Sequence, residues 1–203
     1  MIVTAHQTNL LPGVSVVSKI AAADVFIACD EFQFTLGGFV NRNRLADGTP
    51  LTAPYDRRDK FAPINRVRLA STPIRWREVL ARTLEQRVPG GHVYAALARR
   101  PWRLLVGLNV ALLEQLLDDL AIRTEWVFQS HLESGKCYGP IVSDDRDELV
   151  PASERLAAMT AEVGGDVYLS GASGRRYLDE TPFAERGIRV DYFDPAGPNP
   201  SAV

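Results

Sequence analysis

The three histidines of this 203-residue chain are scattered, and one of them, His6, stands where acid–base chemistry is easily built. It follows the apolar run 2–5 and opens the polar string His6-Gln7-Thr8-Asn9, which leads into a helix-forming stretch. Ligands of open α/β sheets bind beyond the carboxyl ends of the strands, and a helix N-terminus adds a positive dipole end there. A phosphate or a carboxylate fits such a position. The same residues are also explained by a polar loop in which His6 and Asn9 do no more than cap the helix. Asp30-Glu31 follows the second apolar run and reaches the same edge. A carboxylate beside His6 orients the imidazole or raises its pKa for general-base work, whereas a solvated loop acid does neither.

A second string, Asn41-Arg42-Asn43-Arg44, puts amides and guanidiniums on alternate faces of a strand, where side chains repeat every two residues. Arg42 and Arg44 then offer a bidentate hold on an anion; a solvated edge strand guarded by charge is the competing account. Asn109 is a polar residue inside an apolar helix, and a buried amide either joins a hydrogen-bond network or lines a site. Ser170-Gly171-Ala172-Ser173-Gly174-Arg175-Arg176 closes a later strand with small residues and two arginines. It has the makings of an anion cradle but lacks the Gly-Lys-Ser/Thr ending of a P-loop. His92 and His131 have no His, Cys or carboxylate partners at ligand spacing, so neither a metal site nor a cofactor is expected. Cys29 ends an apolar strand beside Asp30, an acid that raises a thiol pKa, and is read as core rather than nucleophile.

Positioning these residues takes an α/β fold. Residues 2–5, 6–12, 13–23 and 24–29 read as strand, loop, helix and strand, a βαβ unit with Val16, Val17, Ile20 and Ala23 at helical spacing. Both strands are nearly continuous apolar runs, as in a parallel sheet covered on both faces. Residues 124–130, 166–170 and 188–193 supply further strands and 153–162 a helix. Residues 32–56 hold Gly37-Gly38 and Asp47-Gly48 between β-compatible residues, which predicts an antiparallel excursion with a hairpin near Asp47-Gly48. The stretch 72–120 reads as mostly helical and is expected beside or over the sheet. Trp76, Val79, Leu80, Thr83 and Leu84 share a face, Pro89-Gly90-Gly91 interrupts, and 104–120 forms the longest helix. Residues 136–150, with the acidic run Asp144-Asp145-Arg146-Asp147-Glu148, read as a mobile surface loop. The expected organisation is one α/β domain over 1–194, with a mostly parallel central sheet flanked by helices, a small antiparallel excursion and a helical subregion at about 72–121. A flexible tail follows at 195–203.

Composition narrows the function classes. A chain that is 46% hydrophobic and 24% charged is ordinary for a globular protein and long enough to bury a core without disulfides, so Cys29 and Cys137 need not pair. The start Met-Ile-Val-Thr-Ala-His has neither the basic nor the apolar region of a secretory signal, and no apolar run nears the length of a membrane span. A cytoplasmic protein with no membrane partner is the expectation. The net charge of −2, from 23 basic and 25 acidic residues, excludes a strongly basic DNA-binding module. Only Lys19, Lys60 and Lys136 among the basic residues are lysines, a bias that GC-rich coding explains as readily as anion recognition.

Taken together, these strings resemble one family. The opening Ile2-Val3-x-x-His6-Gln7-x-Asn9-x-Leu11-Pro12, then Asp30, Gln33 and Phe34, the 41–44 string, Thr52-x-Pro54, Asn109, and finally Tyr168-Leu169-Ser170-Gly171 with Tyr177-Leu178 are similar to the WbqC-like family of bacterial proteins. The resemblance spans most of the chain. It departs at Thr8, where the family prefers proline, at Gly13-Val14-Ser15-Val16 in place of an aromatic-rich stretch, and at Gln129 before Ser130, where a serine pair is common. Those departures imply a shifted substrate pocket. Members of the family are associated with surface-polysaccharide and natural-product gene clusters. The resemblance therefore implies a small-molecule tailoring step, and pathways with glycyl-amino sugars point to aminoacyl transfer, with charged tRNA as a candidate donor.

Three functions compete at this stage. The first is an amide-forming acyl or aminoacyl transferase in which His6 is the general base and Asp30 orients it. Gln7, Asn9, Gln33, Asn41, Arg42, Asn43, Asn109, Ser130, Ser170, Gly171 and Tyr177 are then candidates for holding a small-molecule substrate. The second is a nucleotide-binding, adenylate-forming or nucleotidylyl-transferring enzyme, although the second histidine of a His-x-Gly-His string is missing. The third is a non-catalytic ligand-binding or scaffolding partner in the same pathway. The oligomeric state is not legible in the sequence.

Overall fold

The computed structural model describes residues 1–72, 75–136 and 152–194. In chain order the elements are β1 (Ile2–Gln7), α1 (Val14–Ala21), β2 (Val25–Cys29), β3 (Arg42–Arg44), β4 (Pro50–Thr52), α2 (Arg75–Arg87), α3 (Gly91–Arg99) and α4 (Leu105–Asp119). They continue with β5 (Glu125–Phe128), α5 (Ala152–Glu162), β6 (Val167–Gly171), α6 (Thr181–Ala184) and β7 (Arg189–Phe193). The expected surface loop, apart from Lys136, the second cysteine, Cys137, and the tail 195–203 lie outside the described residues. Among the described residues no helix is long and apolar enough to cross a membrane.

The chain divides into two compact units. The first gathers Met1–His6, Val14–Glu31 and the chain from Thr124 onward; the second takes Gln7–Gly13 and Phe32–Arg123. The first unit is built on a five-stranded parallel sheet in the order β5-β2-β1-β6-β7, flanked by helices. Its registers set Val25 beside Glu125, Ile2 beside Val167 and Val167 beside Arg189. β2 is buried at all five positions, which is what its unbroken apolar sequence requires of a strand covered on both faces. The buried Thr4 hydroxyl donates to the Leu169 carbonyl at 2.8 Å, so the one fully buried polar side chain of β1 is satisfied by its neighbour β6. The predicted α/β class with a parallel sheet is what the structure has. α1 is shorter than the predicted 13–23 by one residue at its start and two at its end, and the strand predicted at 124–130 turns into a 3-10 helix at Gln129–His131.

The second unit carries the small antiparallel pair. β3 and β4 pair with Arg42 opposite Thr52 and Arg44 opposite Pro50, and Gly48 turns the hairpin at φ 83°, a left-handed conformation that glycine adopts without strain. Its core includes Leu10, Phe34, Val40, Leu51, Leu80, Leu84, Tyr94, Leu105 and Leu108. α2 buries Trp76, Leu80, Ala81 and Leu84, while Val79, expected on that face, is 64% exposed. Ala81 lies in the buried arc instead, and α3 packs closely on α2. That approach is tightest at Gly91, where a Cβ would lie 2.2 Å from the Leu84 carbonyl oxygen and 2.8 Å from the Glu85 Cα. Backbone cannot yield as a side chain can. Gly91→Ala is therefore expected to lower the unfolding free energy by about 1–3 kcal/mol, read as a lower urea midpoint at unchanged slope.

Candidate functional site

Strand order locates the place to look in the first unit. The chain runs from β1 outward through β2 to β5, then returns to the other side of β1 for β6 and β7. The order therefore reverses between β1 and β6. At such a switch point the loops leaving adjacent strands part, and a crevice opens outside their carboxyl ends. A cavity of about 320 Å³ lies there. Ala5 and His6 enter from the end of β1, Ser15, Val16 and Lys19 from the first turns of α1, and Tyr168, Ser170 and Gly171 from β6. Ala172, Ser173, Tyr177 and Phe193 complete the lining. Its size is that of a small-molecule site.

The small residues after β6 are positioned by close contact. A Cβ on Gly174 would stand 2.1 Å from the Ser170 hydroxyl oxygen, so the 3-10 helix Ala172–Arg176 folds back closely onto the end of its own strand and a larger residue there would displace that hydroxyl. This brings the strand end and the following turn to one wall. His6 is half-buried and Ser170 buried, while Tyr177 is exposed at the rim. Four sequence candidates, His6, Ser170, Gly171 and Tyr177, thus meet at one cavity.

Lys19 is the residue that sequence reasoning passed over. It lies on the buried side of α1 with Val17 and Ile20, and its Nζ donates to the Ala5 carbonyl at 3.0 Å. Burial pulls its pKa down to about 8, against a smaller raising influence from Cys29. The signal was present in the sequence: a lysine at an apolar helical phase, in a chain whose basic residues are otherwise nearly all arginine. Cys29 is buried and its thiol is pushed up to about 12, first by burial, with Lys19 lowering and Asp30 raising it. Core placement and an inert thiol follow, with burial outweighing the neighbouring acid.

The sign of the Lys19 shift makes stability depend on pH. An unfolded lysine titrates near 10.4, so between about 8 and 10 the unfolded chain binds the proton that the folded chain has released. Unfolding free energy then rises with pH across that window, and the cost of burying the ammonium is fully present below it. The raised Cys29 thiol works the other way above about 9, so urea unfolding at pH 7 and at pH 9.5 is expected to show a more positive change of stability with pH in the wild-type protein than in Lys19→Met.

Asp30 is buried, and both of its oxygens are used by Ser130: one accepts from the Ser130 N–H at 2.9 Å, the other from its hydroxyl at 2.7 Å. Ser130 lies within the 3-10 helix Gln129–His131 that follows β5. Gln129 beside it is fully buried, donating to the Gly135 carbonyl at 2.8 Å and accepting from the Glu31 N–H at 3.3 Å. Asp30 and Ser130, both site candidates, are therefore partners of each other across the ends of β2 and β5.

The remaining candidates belong to the second unit. Asn109 is fully buried in α4 and its amide donates to the carbonyls of Thr8 and Val40 at 2.6 and 2.7 Å. Asn43 donates to Leu10 and Leu11 at 3.1 and 2.8 Å and accepts from the Arg44 N–H. Leu11 has φ 43°, an uncommon conformation for a leucine, and Asn43 pins it from outside. Asn41 donates to Ala53 at 3.4 Å. The asparagines thus hold the segment Gln7–Gly13 and the hairpin in shape, with Asn9 buried beside them. Arg42 and Arg44 point outward from β3 and, with Gly37, Phe39 and Thr52, line a second cavity of about 370 Å³. Gln33 is exposed and bridges to Pro63. Among the described residues no three of His, Cys, Asp and Glu stand together as metal ligands would.

A parallel α/β sheet with a small-molecule-sized cavity at its switch point defines the class of this protein. Residues 7–200 match the WbqC-like protein family, and the chain belongs to that family. The Mycobacterium tuberculosis protein "Uncharacterized protein Rv1507c" is 28% identical over 204 residues, a match covering 93% of this chain and 80% of that protein. No solved structure matches the chain.

Proposed function

We propose that the protein is a small-molecule tailoring enzyme that forms an amide by acyl or aminoacyl transfer, with His6 as general base in the switch-point cavity. The observation that carries this reading is the convergence of His6, Lys19, Ser170 and Gly171 on that one cavity. In the step, an acceptor amine attacks the carbonyl carbon of an activated ester and a C–N bond forms. His6 takes the proton shed by the amine, the C–O bond breaks, and the proton passes to the departing oxygen. In this reading the Ser170 hydroxyl and the turn after β6 would receive the carbonyl oxygen as it gathers negative charge, with the positive end of α1 adding to the same potential. Aminoacyl-tRNA is a donor of the right chemistry, and surface-glycan or natural-product pathways supply suitable amines.

The strand order favours a second reading, because it is that of the first five strands of the nucleotide-binding doubly wound sheet. One experiment separates the two. Incubation with radiolabelled glycyl-tRNA and an amino-sugar acceptor is expected to give an amide product without ATP. Amino-acid-dependent exchange of pyrophosphate into ATP, with no ester consumed, supports the nucleotide reading instead. Binding of either ligand without turnover supports a scaffolding role.

A further inference from the structure

We infer that Lys19 is the anion-holding residue of the switch-point cavity, its ammonium receiving a carboxylate or phosphate oxygen of the bound substrate. The inference rests on the reading of that cavity as the substrate site and adds to it the charge of the substrate and the group that holds it.

Lys19 is only 5% exposed, yet it lines the cavity. Its ammonium can donate three hydrogen bonds, and among the described residues one is made, to Ala5. No carboxylate among those residues pairs with it. Asp30, which follows Cys29 at the end of β2, has both oxygens committed to Ser130. A buried charge without a counter-ion is costly, and such groups persist where a ligand completes them.

The groups facing Lys19 make the same point. β1 presents His6, β2 the Cys29 thiol, and β6 Tyr168, whose hydroxyl burial keeps protonated; none of these is an anion at neutral pH. Arg155, from α5, adds positive potential at Cys29. The first turns of α1, at Ser15 and Val16, bring a positive dipole end to the cavity, and Gly171, Ala172 and Ser173 leave room for a planar or tetrahedral anion. A lysine suits the place as a compact point charge whose remaining N–H donors can turn toward an anion oxygen.

The test uses the full chain labelled with 13C-lysine, in which only three residues give signals. Inorganic phosphate, acetate and N-acetylglycine are titrated in turn, with acetamide as the neutral control. At least one anion is expected to move the Lys19 signal and raise its titration midpoint by about one unit or more, while acetamide leaves it unmoved. A response to phosphate alone assigns a phosphate group, and a response to the carboxylates alone assigns a carboxylate. Lys19→Met is expected to weaken binding of the responding anion at least about thirtyfold with an equal or higher melting temperature in its absence. A Lys19 signal indifferent to every anion overturns the inference, as does a Lys19→Met protein that binds as tightly as wild type. Failure of the acyl-transfer reading looks different: anion binding at Lys19 persists and no amide product forms.

Discussion

His6→Ala is expected to lower amide-forming turnover by about two to four orders of magnitude, the usual contribution of a positioned general base. The imidazole stands at the carboxyl end of β1 on the cavity wall, half-buried, where it is held by the strand and open to a substrate. Its removal leaves the sheet intact, because the strand's buried side chains are Val3, Thr4 and Ala5. Stability should therefore change by less than about 1 kcal/mol, within the ordinary range for a substitution outside the core. Single-turnover rates and urea unfolding, measured on one preparation, separate the two roles His6 can have. Turnover lost with stability kept identifies the base. Full turnover in the variant removes the catalytic assignment, and a loss of stability matching the loss of activity returns His6 to a loop-holding role. Because Lys19 receives the substrate in ground state and transition state alike, its substitution should act mainly on KM, which keeps the two residues distinguishable in kinetics.

Asn109→Ala is expected to be among the most destabilising single changes in the second unit, at roughly 3–5 kcal/mol. One amide nitrogen satisfies two buried carbonyls, those of Thr8 and Val40, from segments 101 and 69 residues away. Truncation leaves both oxygens dry and unpaired and opens a void in α4, whose neighbours Leu105, Leu108 and Leu112 are all fully buried. The Asn109 Oδ1 is itself buried without a partner among the described residues, so its removal offsets part of that cost and the two orphaned carbonyls and the void carry the rest. A drop in the urea midpoint with the slope unchanged is the expected readout. A variant of wild-type stability that has lost substrate affinity would instead place Asn109 in direct contact with substrate.

Local pattern decided a good deal of this protein. Unbroken apolar runs at 2–5 and 24–29, with Val16, Val17 and Ile20 at helical spacing between them, made β1, α1 and β2 legible. Asp47-Gly48 marked the hairpin because a left-handed turn position asks for glycine, and Gly48 has that φ. The ordered motifs from His6 to Tyr177 carried the family. Each of these signals is written within a few residues, so no knowledge of distant partners is needed to read it.

What a polar side chain does, by contrast, depends on whom it meets. Asp30 finds Ser130 100 residues later, and Asn109 finds Thr8 and Val40, so their hydrogen-bond capacity is spent on partners that no local spacing reveals. The exposure of Val79 and the close approach of Gly91 to the α2 backbone are settled only by the packed α2 and α3. Strand order is likewise non-local: a run of parallel strands joined by crossovers is compatible with growth on either side of β1, and only the folded chain shows β2 and β5 on one side, β6 and β7 on the other. That order places the switch point, and with it the cavity that the buried Lys19 lines. Sequence periodicity sets which face of an element is buried; whether a buried polar group is structural or functional is decided by the partners that tertiary contact brings within hydrogen-bond reach.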